Sequence, residues 1–380
     1  MEIVVVADTF LPMRSSGAIQ LSDLGKEFCR QGHNVTFLVP NENQIKPISI
    51  SDEYGATIVR IKVKYLRNSS YILRTLAEFL MPYIMIHRLK KTNLIKHKWD
   101  AIIWYSPSIF HSPLVKLLKK QNKCSSYLII RDIFPEWAME IGLIKKGLVS
   151  KVFQIFAERQ YLLADTIGVQ SEGNLAYFED MQEKNPSKDV EVLQNWLGIL
   201  GTRKNTINLN YFQNKYRHLF LYLGNMGIAQ ELDLFLDLAE KINLRNRIGF
   251  VFVGRGSDVD RLKKRVVKLQ LDNIIFHDEV HPETIPDLCK FFSAGIVSLH
   301  QSHKSHNIPG KFLSYMQNGL PVIAKLNPEN DLINFIEENK IGYVSDSNNL
   351  DKLTNCFENL CNDLDGGISY SIKCKELFNK

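Results

Sequence analysis

The chain has 380 residues, 45% hydrophobic and 23% charged, with a net charge of +6. That length exceeds one comfortable core and points to two domains, while the composition excludes disordered and collagen-like classes. Six cysteines without a Cys-x-x-Cys pair argue against a zinc or dithiol site and fit a reduced, cytoplasmic protein.

In chain order, IVVVAD (Ile3–Asp8) comes first and has no basic flank or cleavage site, so it reads as a buried strand and not as a signal peptide. An amphipathic helix follows over Ala18–Gln31, with Gly32 just past its end. Further apolar runs are NVTFLVP (Asn34–Pro40), TIVRIKV (Thr57–Val63), AIIWYS (Ala101–Ser106), SYLIIRD (Ser126–Asp132), TIGVQS (Thr166–Ser171) and VEVLQN (Val190–Asn195). Near-continuous apolar runs mark strands covered on both faces, and their alternation with helices predicts a doubly wound α/β domain.

Between the third and fourth runs lies a basic, aromatic stretch, Arg60 to Lys98. It carries Arg60, Lys62, Lys64, Arg67, Arg74, Arg88, Lys90, Lys91, Lys96 and Lys98 against a single acid, Glu78. Its most apolar part, Leu76–Ile86, is too short to span a bilayer. The mixture predicts contact with an anionic membrane surface; the alternative is a core helix with a solvated basic flank. Nothing resembles a nucleic-acid-binding motif.

After a polar linker, Trp196–Arg217, the pattern restarts. Strands are expected at His218–Gly224, Ile248–Gly254, Asn273–Val280, Ala294–His300, Pro321–Leu326 and Gly342–Asp346, with helices at Glu231–Lys241 and Val259–Leu269. Three strand-to-helix turns stand out. GNMGIAQELD has Gly224 and Gly227, which allow backbone N–H groups to meet a phosphate; VGRGSD adds Arg255. The third, SHNIPGKFLSYMQNGLPVIA, puts Pro309 in the first turn of a helix, Lys311 beside it and Gly319 past its end. A cation at a helix start is locally unfavourable unless an anion binds there, so the three turns together predict a diphosphate-bearing ligand.

These motifs, YLGNMGIAQELD, FVFVGRGSDVDRL, DNIIFHDEV and IPGKFLSYMQNGLPVIA, resemble in order and spacing the nucleotide-sugar domain of retaining glycosyltransferases of family 4, which have the GT-B fold. SSGAIQLSDLGKEFCRQGHNVTFLVP is similar to that family's glycine loop and first helix, and VEVLQNW to its interdomain segment. RDIFPEWAMEIGL is similar to the Arg-Asp-x-x-Pro pattern of members that build bacterial surface polysaccharides, including the fucosamine transferases of O-antigen and capsule synthesis.

The resemblance implies two doubly wound Rossmann-like domains facing across a cleft. The acceptor and membrane-facing domain would be residues 1–196 and the nucleotide-sugar domain 197–364, with a helix at 365–380 packing back on the first. Donor contacts would fall on Gly17, Gly224, Asn225, Gly227, Gln230, Arg255, Pro309, Lys311 and Ser314, and catalytic roles on Arg131, Asp132 and His306. The donor would be a UDP-linked sugar, an N-acetylated 6-deoxyhexosamine such as N-acetylfucosamine, and the acceptor a lipid-linked saccharide. No further cofactor and no metal are implied, and the protein would lie on the inner face of the cell membrane. Three departures stand beside this. The family's Glu-x7-Glu positions fall on His306 and Ser314. The usual Arg and Lys of the first glycine turn fall on Asn225 and Gln230. Arg131 stands where a His often follows the acceptor-domain strand. His303 lies in the same loop as His306, whereas His87 and His111 read as surface or packing residues. The rival readings are a nucleotide-sugar epimerase or hydrolase of the same shape, and a catalytically silent partner of a transferase.

Overall fold

A computed structural model describes residues 1–379 except 14, 65–70, 200, 243–246, 305 and 307. Arg67 of the basic stretch and Ser305 and Asn307 of the loop before Pro309 therefore lie outside the described residues. Val4, Val5 and Val6 have no exposed surface, as a strand covered on both faces requires. This strand, β1 (Glu2–Val6), is followed by α1 (Ser16–Arg30), β2 (Asn34–Asn41), β3 (Ile48–Glu53), β4 (Ala56–Lys62) and α2 (Tyr71–Leu89). Next come β5 (Ala101–Tyr105), α3 (Ser112–Asn122), β6 (Ser125–Ile129), α4 (Glu136–Glu140) and α5 (Leu148–Leu163). β7 (Thr166–Val169), α6 (Glu179–Lys184) and β8 (Asp189–Val192) complete a first unit, Met1–Gln194.

The second unit, Asn195–Lys380, begins with α7 (Asn210–Lys215), β9 (His218–Asn225), α8 (Asp233–Ile242), β10 (Ile248–Arg255) and α9 (Val259–Lys268). It continues through β11 (Ile274–His277), α10 (Ile285–Cys289), β12 (Ala294–Ser298), α11 (Gly310–Gln317) and β13 (Val322–Lys325). It ends with α12 (Asp331–Asn339), β14 (Gly342–Ser345), α13 (Leu350–Asp365) and α14 (Ser371–Phe378).

The first sheet has the order β3-β4-β2-β1-β5-β6-β7-β8, and the second β11-β10-β9-β12-β13-β14. All pairings are parallel except β3 with β4, an antiparallel edge hairpin. Each unit has its own core. One centres on Val4, Val6, Ile102 and Leu128, the other on Phe220, Phe250, Ile296 and Phe357. In each sheet the chain order reverses about one strand, β1 or β9. Open α/β sheets bind ligands at the carboxyl end of such a switch point.

The linker read from the sequence has local structure, as expected, and that structure packs on the second unit. Leu209, Phe212 and Tyr216 are buried in the second core. The closing helix α14 also belongs to the second unit, where Cys374 is buried and Ser371 and Lys375 lie against Gly319.

Candidate functional site

The second switch point lies between β9 and β12. β9 is buried through Leu223 and then emerges at Gly224, where φ is +106°. In the ladder Gly224 stands beside Gly254, and Asn225 beside Arg255. A Cβ on Gly254 would lie 1.9 Å from the Gly224 carbonyl oxygen, so the two glycine turns abut and only glycine fits. Met226 N–H then donates to the Arg255 carbonyl at 2.8 Å. Across the first turn, Gln230 Oε1 accepts from Asn225 Nδ2 at 2.8 Å and from Gly227 N–H at 3.1 Å. These two side chains thus brace the turn. Arg255 is largely exposed and pairs with Glu279 at 3.1 Å.

The third turn is built around α11. Pro309 is the cap residue just before the helix, with φ −66° and ψ 137°, one position earlier than the sequence suggests. Phe312, Tyr315 and Met316 anchor the helix in the core. Tyr315 OH donates to the Leu221 carbonyl and accepts from Leu223 N–H, both at 2.9 Å. Gly295 makes room for that ring, since a Cβ there would come within 2.4 Å of it. Asn195 Nδ2 bonds the Ile308 carbonyl, and Gln317 Nε2 donates to the Gly198 carbonyl at 3.0 Å, fixing both ends of the segment.

This seating sends Lys311 across the switch crevice. Its ammonium lies 3.6 Å from the centroid of the Tyr222 ring, and its Cε lies 3.8 Å from where a Cβ of Gly224 would be. No carboxylate or hydrogen-bond acceptor among the described residues meets it; the Tyr222 ring is its partner. Burial pushes its pKa down to about 7. Tyr222 OH in turn bonds the Asn225 carbonyl, which links the ring to the glycine turn. Ser314 is buried and its hydroxyl donates to the Gly310 carbonyl at 3.3 Å. His306 Nδ1 lies 2.8 Å from Asp331 Oδ1, at the start of α12.

A second cation nearby is handled differently. Lys325, on β13, is fully buried and pairs with Glu231 while donating to the Leu299 carbonyl at 2.8 Å. Glu231 has φ +45° and also accepts from Gln301 N–H and Asn348 Nδ2, both at 2.9 Å. Burial opposes its ionisation, but hydrogen bonds from Lys325 and Gln301 and the Lys325 charge hold its carboxyl below the usual range. The pair ties the end of the first glycine turn to the loops after β12 and β14.

In the first unit the switch point lies between β1 and β5. Ser15 caps α1, accepting from Ala18 N–H at 3.2 Å. Gly17 lies against Tyr105, whose hydroxyl donates to Gln20 Oε1 at 2.9 Å. Arg131 joins them, donating to Tyr105 OH at 3.1 Å, to Ser16 Oγ at 3.2 Å and to Gln20 Oε1. Burial pushes the Tyr105 pKa up to about 12, partly offset by Arg131, with Asp132 and Asp8 raising it further. Gly17 and Arg131 are thus brought together, with Asp132 close enough for its charge to act on Tyr105. His111 is 1% exposed, and burial pushes its pKa down to about 4, which fits a packing role.

Sequence reasoning missed Tyr222, the Glu231–Lys325 pair, and the Gln20–Tyr105 link. Tyr222 sits inside an apolar strand run, and Lys325 inside another, where neither is distinguishable from core. Among the described residues no cluster of three His, Cys, Asp or Glu side chains could hold a metal, and no helix is long and apolar enough to cross a membrane.

Residues 217–363 match the family model of group 1 glycosyl transferases. The chain is 25% identical over 250 residues to an Escherichia coli K12 protein named as colanic acid biosynthesis glycosyl transferase WcaI; the match covers 60% of this chain and 58% of that protein. Among solved structures, sucrose-phosphate synthase from Thermosynechococcus elongatus superposes with a TM-score of 0.75 at 12% identity, over 100% of this chain and 94% of that one. Anabaena HepE, in complex with UDP and glucose, superposes with a TM-score of 0.67 at 12% identity, with the same coverage. The fold is that of GT-B glycosyltransferases, with two Rossmann-like sheets.

Proposed function

We propose that this protein is a glycosyltransferase that moves a sugar from a UDP-linked donor to a lipid-linked saccharide during synthesis of a bacterial surface polysaccharide. The observation that carries this reading is Lys311: a half-buried cation in the first turn of α11, beside the Gly224 turn, with only an aromatic face as partner. Helix dipole, free N–H groups and cation all favour one anion at that point, and a diphosphate satisfies all three. The match of residues 217–363 to group 1 glycosyl transferases, and the fold shared with HepE, solved with UDP and glucose, support the same ligand class.

In the proposed reaction the acceptor oxygen attacks the anomeric carbon on the face the diphosphate leaves. The new C–O bond forms as the bond to the β-phosphate oxygen breaks, the acceptor proton passes to that oxygen, and configuration is retained. Lys311 stabilises the charge growing on the leaving group. On this reading Asp132 accepts from the acceptor hydroxyl. Arg131, held by Ser16, Gln20 and Tyr105, orients the glycine turn at Gly17. The donor class, an N-acetylated 6-deoxyhexosamine in O-antigen or capsule synthesis, rests on the Arg-Asp-x-x-Pro resemblance. The protein works at the inner face of the membrane, and Lys90, Lys91, Lys96 and Lys98, all exposed, supply part of the attraction to it.

Calorimetric titration of UDP into wild type and Lys311→Ala tests the reading. Removing one member of a desolvated charge pair costs ~2–5 kcal/mol, so affinity should fall at least tenfold, with Lys311→Arg recovering part of it. A folded Lys311→Ala protein that binds UDP as tightly as wild type would overturn it. Release of UDP from a panel of UDP-sugars, with and without membrane extract, then identifies the donor.

A further inference from the structure

α5 presents an outward stripe that its surroundings leave uncovered. Leu148 is 81% exposed and Val149 61%, and Val152 and Ile155 continue the stripe at 43% and 47%. Positions 148, 152 and 155 share one helix face. Lys145, Lys146 and Lys151 are exposed alongside them. The opposite face is packed: Ala157 is buried, and Phe153 and Phe156 meet Phe134 and Phe79 at 5.2 and 5.6 Å.

α2 does the same. Leu73, Leu76, Leu80 and Tyr83 are all exposed, at the spacing of one face. Phe79 of α2 touches both Phe156 of α5 and Tyr83 of its own helix, at 5.6 and 5.7 Å. The Phe79–Phe156 contact therefore joins α2 to α5 through their packed sides, leaving both stripes outward. Neither helix can span a bilayer. The cations of the Arg60–Lys98 stretch are unequally available. Arg60 is engaged by Glu53 at 2.6 Å and Arg74 by Glu78 at 2.9 Å, so the exposed lysines of this face lie just after α2, at Lys90 and Lys91, and around the start of α5.

We propose that α2 and α5 together form a docking face that lays its apolar side chains into the interface of an anionic lipid surface while Lys145, Lys146 and Lys151, around the start of α5, meet the headgroups. The proposal rests on the reading that the acceptor is lipid-linked. Charge decides between lipid and a second copy of this chain. A two-fold pairing of this face would set two patches of like net charge against each other, whereas an anionic surface neutralises them. Apolar insertion also distinguishes this face from the purely basic attraction expected of Arg60–Lys98, because it persists in salt.

The test is sedimentation of the full chain with vesicles of phosphatidylcholine alone or mixed with anionic phosphatidylglycerol. Leu148→Ser/Val152→Ser and Leu76→Ser/Leu80→Ser should each lower partitioning about tenfold or more, at low and high salt alike. Lys145→Ser/Lys146→Ser/Lys151→Ser should weaken binding to the anionic vesicles at low salt only. Thermal melts should match wild type, since every changed side chain is exposed. A Leu148→Trp variant should shift its emission to the blue on anionic vesicles. The proposal is overturned if the α5 apolar variant binds vesicles as wild type does. It is equally overturned if wild type is a dimer that this variant splits in sedimentation velocity. UDP titration of the same variants should be unchanged. A wild type that ignores UDP yet binds vesicles through α5 overturns the transferase reading and leaves the docking face standing.

Discussion

Lys311 and Lys325 are two lysines in one domain with opposite fates. Lys325 is fully buried and already satisfied by Glu231, so it serves structure. Lys311 meets only the Tyr222 ring, and burial brings its pKa to about 7. A bound diphosphate would favour the ammonium, so binding should take up a proton above neutral pH. UDP affinity should be highest below pH 7 and fall by up to about tenfold per unit above it, while Lys311→Arg stays flat. Titration in buffers of different ionisation enthalpy measures the proton directly. Stability carries the reverse sign. The folded pKa lies below the unfolded value of about 10.4, so the cost of burying the ammonium is full below pH 7 and is relieved as pH rises toward that value. The melting temperature of ligand-free wild type should therefore gain on that of Lys311→Met over that window.

At the scale of elements, α11 is the piece that makes a site out of a turn. The β9–β12 ladder ends at the Tyr222–Ile296 pair. Beyond it the strands diverge, and Tyr315 OH takes the Leu223 N–H that has lost its strand partner. Tyr315→Phe leaves that donor and the Leu221 carbonyl without their buried partner, at a cost of ~1–3 kcal/mol in urea unfolding. Because the same bond seats the helix that carries Lys311, UDP affinity should fall with it. Unchanged affinity in the variant would show that α11 holds its place by apolar packing alone. Not every element was legible. β3 reads ISISDE, an alternating and half-polar edge strand, and its turn is Tyr54-Gly55, both at positive φ, where Asn-Gly would have been the recognisable signal. α5 was missed because its exposed apolar stripe breaks the polar-outside pattern by which surface helices are recognised.

For the molecule as a whole, the decisive fact is two separate cores, each under its own sheet. Ligand binding to one should stabilise that unit first. Differential scanning calorimetry should show two transitions, of which UDP raises one, by about 2.7 kcal/mol at a hundredfold excess over Kd. Movement of both transitions together would mean that the units unfold as one.

The sequence by itself determined the two α/β units, the parallel strands and the three glycine- or proline-marked turns of the second domain. Strands buried on both faces must be continuous apolar runs, and tight strand-to-helix turns must carry residues with unusual backbone freedom, so both leave local marks. Tertiary structure alone decided which cation is free. Lys311 and Lys325 are each one lysine near an apolar run, and only the approach of Glu231 to one and Tyr222 to the other separates them. It also decided that Asn225 and Gln230 brace each other, that Arg131 reaches back to Ser16 and Gln20, and that α2 and α5 each keep an uncovered apolar stripe. Each of these depends on contacts between segments distant in the chain or on side-chain direction, and neither is written in the local pattern of residues.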